Sequence, residues 1–323
     1  MKTLFALLVV LASQVTIAHP GTAIVRDRKG NTYYTDLVHV WRLSADGKKS
    51  IAVKNVHTHE LYMDANDNLY GEHLWYNGEK LNTWGHYVWC LRSTNKLDTI
   101  IKPSAGFLNN YSFVRDAQAN MYWVERDPVS TLKKRSPDEN ITTLLQDKFK
   151  DVRWLYVTKQ GVLYFIDLGD LYKIDSGKLI LIAKNISGNT LAFGMYSGKH
   201  SLMGIWADSN ENIYVANFSG QVVKRISQEG KVDDFVYTTT PWSPTGGTFD
   251  NEGNLWLLEY SLTNEARVRK IIPALFNKGK TASVVVTNYI LPLSIVAVLV
   301  AVVLFLILYV FKKKEKPVIS PLY

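Results

Sequence analysis

Apolar and polar residues alternate with a period of two along most of the chain. Short blocks such as Leu202 to Ala207 and Asn212 to Asn217 follow this rule and are bounded by Asp, Asn and Gly. That pattern predicts β-strands with one buried face, and it excludes stacked helices, which would need a period of 3.6.

One phrase recurs between these blocks: an acidic residue, a few small polar residues, Asn, and an aromatic two positions later. It is carried by Asp27/Asn31/Tyr33, Asp64/Asn68/Tyr70, Asp116/Asn120/Tyr122, Asp208/Asn212/Tyr214 and Asp250/Asn254/Trp256. A fourth copy, in chain order, has Thr158, Val162 and Tyr164, and keeps Gly161 for the turn. The Asp-to-Asn stretch predicts a tight turn between two strands, because Asn, Asp and Gly tolerate positive φ and Asp bonds nearby backbone N–H groups. The aromatic then points into the layer between neighbouring units. Successive aromatics lie 37, 52, 42, 50 and 42 residues apart. Each phrase is followed by a second hairpin, as in Val40 to Val53, Leu171 to Ile182 and Val222 to Val232. Two hairpins in about 40–50 residues make one four-stranded blade. The expected fold is therefore all-β, a six-bladed β-propeller over residues 19–287, followed by a single C-terminal transmembrane helix.

The ends of the chain supply its address. Lys2, a short apolar stretch from Leu4 to Ala12 and the small-residue site Thr16-Ile17-Ala18 read as a signal peptide over residues 1–18. Residues 288–311 form an uncharged apolar run long enough to span a bilayer, with Tyr289 and Tyr309 at its two ends. The basic tail, residues 312–323, opens with Lys312, Lys313 and Lys314 and is expected to stay in the cytoplasm. The propeller is then expected on the extracytoplasmic side of the cell membrane, in the periplasm or at the cell exterior, on a single span. One Cys in 323 residues excludes an internal disulfide and favours a bacterial envelope protein. Cys90 sits in an apolar strand run.

Net charge is +8, and about half of it comes from Lys2 and the tail. The remaining surface is too evenly charged to suit nucleic acid. The exported part starts directly with an innermost strand, Thr22 to Arg26, so the last blade needs its outer strand from further on. Residues 282–287, β-branched and next to the span, are the candidate.

The repeat resembles the six-bladed superfamily of NHL repeats, YWTD repeats and gluconolactonase-like (regucalcin-like) proteins; Tyr33-Tyr34-Thr35-Asp36 is close to the YWTD phrase itself. In the enzymes the resemblance implies an axial divalent cation held by one Glu, two Asn and one Asp, each about five residues before the turn Asp. The matching positions here are Thr22, His59, Tyr111, Arg153, Met203 and Thr245. None is a carboxylate or carboxamide, whereas a hard cation wants several such oxygens. A slip of one residue brings in Glu60 and Asn110, still too few.

Other chemistry is available. His57 and His59 are spaced for a transition-metal site, so a divalent metal is kept as an option without a confident cofactor. Arg153 suits an anion or sugar ligand. Its neighbour Trp154 either lines the funnel or packs between blades. Trp242 stands in the loop entering the last blade. The second blade carries a lengthened hairpin around Asn77-Gly78, which predicts a tight turn, with Trp75, Trp84, His86 and Trp89 along it. Long loops on rigid scaffolds concentrate binding, so Trp75, Trp84, His86 and Trp242 are the partner-binding candidates. Function is expected to be a binding, interaction or sensor module for a protein, small-molecule or sugar ligand. The alternative is a lactone or ester hydrolase of the gluconolactonase-like kind with an altered metal site.

Overall fold

The computed structural model describes residues 20–272, apart from 106–112, 126–128, 147–148, 189–200 and 262. The described residues form six antiparallel sheets. Blade 1 holds β1 (Ile24–Arg26), β2 (Thr32–Thr35), β3 (Val40–Leu43) and β4 (Lys49–Val53). Blade 2 holds β5 (Leu61–Met63), β6 (Leu69–Tyr76), β7 (Trp84–Leu91) and β8 (Leu97–Ala105). Blade 3 runs from β9 (Phe113–Arg115) through β10 (Met121–Glu125) and β11 (Thr131–Arg135) to β12 (Ile141–Leu145). In blade 4, β13 (Val152–Val157) and β14 (Leu163–Asp167) precede β15 (Asp170–Asp175) and β16 (Lys178–Ala183). Blade 5 is β17 (Leu202–Ala207), β18 (Ile213–Asn217), β19 (Val222–Ile226) and β20 (Val232–Tyr237). The last blade shows three strands, β21 (Trp242–Phe249), β22 (Leu255–Ser261) and β23 (Ala266–Ile271).

The first strand of each sheet packs on the first strand of the next, and β21 packs back on β1. The ring is closed across the chain by the Tyr260 hydroxyl, which donates to the Thr35 carbonyl at 2.7 Å. Arg26 lies 4.1 Å from the Trp256 ring across the same seam.

The recurring phrase acts as a clasp. Asp116 accepts the Asn120 backbone N–H at 2.9 Å, the Asn120 side-chain amide at 2.7 Å and the Tyr122 hydroxyl at 2.9 Å. Asp27, Asp64 and Asp208 repeat the set with Tyr33, Tyr70 and Tyr214, and in the last blade the Trp256 indole donates to Asp250 at 3.0 Å. The residue before each Asn, or before Val162, has φ between 59° and 84°, whether Gly30, Asp67, Ala119, Gly161, Glu211 or Gly253. In the fourth copy the Thr158 hydroxyl accepts only the Val162 N–H, at 3.1 Å. In the five copies with Asp, the clasp ties a turn to a buried or partly buried aromatic with charge-assisted bonds, each contributing about 1.5–3 kcal/mol.

One expectation changes and another is left untouched. Asn77-Gly78 is not a two-residue turn: the loop spans residues 77–83, with Asn77 N–H donating to Thr83 O at 2.9 Å and Asn82 N–H to Gly78 O at 2.9 Å. The Asn77 side chain is spent on Trp75 and Thr83, which favours the longer loop. No described residue belongs to a helix long and apolar enough to cross a membrane. The signal segment, residues 282–287, the apolar run 288–311 and the tail lie outside the described residues.

Candidate functional site

The inner strands surround an axial cavity of about 290 Å³. Among the described residues its one lining carboxyl is Glu60, at the entry of β5. Thr22 and the backbones of Gly204 and Gly246 complete the wall at that end, and Arg26, Arg115 and Lys159 line it near the clasp turns. The wall is tight: a Cβ on Gly246 would fall 1.8 Å from the Thr22 carbonyl oxygen, so only glycine fits between β21 and β1 there.

Of the positions counted back from the turns, Thr22 reaches the cavity and four described ones do not. Met203 is buried in the core between blades. Thr245 is fully buried, and its hydroxyl donates to Leu258 O at 3.3 Å. Arg153 donates through Nε to Asp151 at 2.9 Å, so it is held by a carboxylate instead of standing ready for an anion. His59 is fully buried in its blade, and Glu60 takes the wall. Tyr111 and Asn110 lie outside the described residues. The physical reason is a shift in phase. Register breaks between Val152 and Leu155, Leu202 and Ile205, and Pro244 and Gly246 show bulges at the same level of three inner strands. One extra residue swaps the faces of the strand.

In blade 2 the phase is set by Glu72. Its Oε1 accepts the backbone N–H of His59 at 2.7 Å and of Glu60 at 3.3 Å. The His59 Nδ1 lies 3.8 Å from the same oxygen. The His57 ring packs edge-on against His59 at 4.6 Å, and His73 Nδ1 accepts the His57 N–H at 2.8 Å. Burial pushes the Glu72 carboxyl up to about 7, against the pull of those backbone N–H groups. Burial and the neighbouring Glu72 charge hold Glu60 well above the usual carboxylate range, although its surface touches the cavity. Burial lowers His57, His59 and His73, leaving neutral imidazoles.

Glu72 was not singled out by the repeat, yet the repeat contains its signal. Two residues past the signature aromatic, the other blades bury Thr35, Val124, Ile166, Ala216 and Leu258. Only blade 2 buries a carboxyl there. A second overlooked regularity lies one residue later, where Asp36, His73, Glu125, Asp167, Asn217 and Glu259 are all polar. Asp167 accepts the Asp151 N–H at 2.7 Å as His73 accepts that of His57, so this position caps the loop entering an inner strand.

The described wall does not fit the axial divalent cation that the sequence resemblance implies. Glu60 is its single carboxyl, Glu72 is turned onto backbone N–H groups, and no cluster of three His, Cys, Asp or Glu is placed for a metal among the described residues. The His57–His59 pair is likewise not assembled into one.

The aromatic hairpin is mostly an internal structure. Trp89 and His86 are each 1% exposed, which removes His86 as a partner-facing residue. Burial lowers the His86 ring to about 4, so it stays neutral. Trp75 is half-buried, stacks on His73 at 5.7 Å and donates to Asn77 at 2.8 Å. Trp84 packs on Tyr76 at the tip. Trp242, half-buried, receives the Arg267 guanidinium at 4.1 Å, and Arg267 is in turn paired with the buried Glu259. Trp154 packs between blades, donating to Leu202 O at 2.6 Å. Cys90 is fully buried.

No protein-family model and no curated protein matches the chain. Solved structures do. A gluconolactonase from Xanthomonas campestris superposes with a TM-score of 0.51 at 13% identity, over 74% of this chain and 82% of that one. Regucalcin from Agrobacterium tumefaciens, a calcium-binding protein, also gives 0.51 at 13% identity, over 74% and 81%. An auxiliary nutrient binding protein from Bacteroides ovatus gives 0.56 at 13% identity, over 78% and 69%. At such identity the likeness speaks for the fold, and propellers of this fold host different functions. The chain is thus a six-bladed β-propeller whose structural neighbours include gluconolactonase and regucalcin propellers.

Proposed function

We propose that this chain is a ligand-binding propeller, held outside the cytoplasm by its C-terminal apolar segment, with the axial cavity as its site. One observation carries the reading: the six inner strands enclose a small cavity whose wall, among the described residues, presents one carboxyl, Glu60, and none of the clustered oxygen donors that a metal hydrolase needs. A concave site with a few convergent polar groups is the usual form of a small-molecule site. The address rests on the sequence of residues 1–18 and 288–316. The exposed tip of the blade 2 hairpin, with Tyr76 and Leu81, is the surface left for a protein partner.

Thermal-shift screening of the purified full-length chain against small metabolites, with and without chelator, tests this. The expected result is a stabilising ligand whose effect survives chelation and is lost in Glu60→Gln. A stoichiometric metal with lactone turnover that chelation abolishes would overturn it in favour of the hydrolase.

A second reading is favoured by Glu60 itself. A carboxyl held in its acid form inside a cavity is what general-acid catalysis requires. Chelator-insensitive hydrolysis of a lactone or ester, lost in Glu60→Gln, would support that role.

A further inference from the structure

The geometry points to a second binding site on the raised part of blade 2, where the Trp75 ring stacks on a neutral sugar while Tyr87 and His73 bond its hydroxyls. This site is separate from the axial cavity and does not depend on what that cavity binds.

The site exists because the β6–β7 hairpin overtops its neighbour. β6 and β7 have eight residues each, against four each in β2 and β3 of blade 1. Thr35, the last residue of β2, matches Glu72 in the repeat, so Trp75 stands three residues beyond the level where β2 ends, about 10 Å at the rise of a strand. Cross-strand pairs sort the raised residues into two faces. Leu74 pairs with His86 and Glu72 with Val88, and Leu74 and Val88 pack on Met121 and Trp123 of blade 3. The opposite face carries His73 with Tyr87, and Trp75 with Gly85. Its lower part rests on blade 1, where Tyr87 packs on the cluster of Val40, Val53 and Val56, and His73 Nδ1 accepts the His57 N–H. Trp75 stands above that contact, half-buried, and belongs to none of the apolar clusters among the described residues.

The Trp75 ring is held in place. A Cβ on Gly85 would fall 2.2 Å from both Cε2 and Cζ2 of the ring, so the indole covers the Gly85 backbone and needs a glycine there. Its Nε1 donates to Asn77 Oδ1 at 2.8 Å, and the Asn77 amide donates to Thr83 Oγ1 at 3.0 Å. A ring fixed in this way loses little freedom when a ligand stacks on it.

Two polar groups flank the ring. His73 lies 5.7 Å from Trp75, nearly parallel at 21°, and 5.1 Å from Tyr87; Tyr87 lies 6.2 Å from Trp75. Because His73 Nδ1 is an acceptor, the neutral imidazole carries its hydrogen on Nε2. Neither that N–H nor the Tyr87 hydroxyl has a hydrogen-bond partner among the described residues. On the other face the Tyr76 hydroxyl is already spent on Asn82.

These groups set the class of ligand. They carry no charge, so an ionic ligand finds no counter-ion among them. A pyranose brings a face of C–H bonds to the indole and a rim of hydroxyls that both donate and accept, as a phenol and an imidazole N–H require. A proline-rich segment also stacks on an indole, but its prolines offer acceptors alone.

Isothermal titration of the full-length chain with cellotriose, maltotriose and chitotriose at millimolar concentration tests the inference, with a proline-rich peptide as the control. At least one trisaccharide should bind. Trp75→Ala should weaken it by roughly tenfold or more, and Trp75→Phe should restore part of the loss. Tyr87→Phe keeps the ring and should weaken binding roughly two- to tenfold, the factor one hydrogen bond carries, with Tm unchanged. The inference is overturned if no trisaccharide binds, if only the peptide binds, or if Trp75→Ala binds as tightly as the wild type. Should Trp75→Ala fail to fold, Tyr87→Phe decides alone, and unchanged affinity in that variant overturns the inference.

Discussion

Replacing Glu72 by Gln should make the propeller more stable at alkaline pH and leave it unchanged in acid. The Glu72 carboxyl is 1% exposed and is raised from 4.5 to about 7 by burial. The folded state therefore holds a proton that the unfolded chain gives up between those two values. Stability from this group is complete below about pH 4.5, falls as pH rises, and is fully lost above about pH 7. At 1.36 kcal/mol per unit the loss is about 3 kcal/mol, a large part of the ~5–15 kcal/mol that keeps a domain folded. Gln keeps an oxygen for the His59 and Glu60 N–H groups and has no proton to lose. Removing the Glu72 charge also relaxes Glu60 in the same direction. Thermal unfolding of both proteins at about pH 4 and about pH 8 measures the effect, and it should appear as roughly 6–12 °C in Tm at the higher pH. The difference between the two proteins is the quantity to read, because the buried imidazoles titrate in both. Glu72→Leu, which copies Leu258 of the last blade, should instead destabilise at every pH by about 1–3 kcal/mol per orphaned N–H. If Glu72→Gln loses as much stability as the wild type between these pH values, the buried-acid account is wrong.

The clasps give further expectations. Asp116→Ala removes the acceptor for Asn120 and the buried Tyr122 hydroxyl, and should cost about 2–4 kcal/mol in denaturant unfolding. The double change Thr158→Asp with Val162→Asn supplies the missing clasp of the fourth copy and should add about 1 kcal/mol, with a higher urea midpoint as the sign. Asp64 and Asp250 are held below the usual carboxylate value: burial works to raise them, but hydrogen bonds from Asn68 and Tyr70, and from Trp256 and Asn254, outweigh it. Their stabilisation is present above about pH 4 and is lost as pH falls through the folded values, so Asp64→Asn should flatten acid unfolding below pH ~4. Tyr260→Phe breaks the bond to Thr35 O at the ring seam and should cost about 1–3 kcal/mol by thermal unfolding.

The repeat made the fold legible because a blade is a local object. Its turns need residues that accept positive φ, its clasp needs Asp and Asn four apart, and its aromatic must fall two beyond. Those constraints act within a few residues, so they appear in order along the chain. The weak fourth copy was legible for the same reason, since Gly161 alone keeps its turn. The blade count and the inner strands followed from this periodicity, whereas the structure decided between the two places open to Trp154.

The wall of the cavity was not local, and counting from the turns misplaced most of it. Bulges in β13, β17 and β21 shift which residues face the axis, and a bulge leaves little mark in sequence. Glu72 turned His59 inward through bonds to its backbone and left Glu60 on the axis. The hairpin aromatics misled for a related reason: their spacing does not say which face of an eight-residue strand packs on the next blade, and Trp89 and His86 face inward. Sequence by itself determined six blades and the chemistry of every turn, because those depend on neighbours in the chain. Only the tertiary structure decided that Glu60 is the carboxyl of the axis and that Glu72 stands behind it, because that depends on register between strands and on a buried charge meeting backbone groups twelve or more residues away.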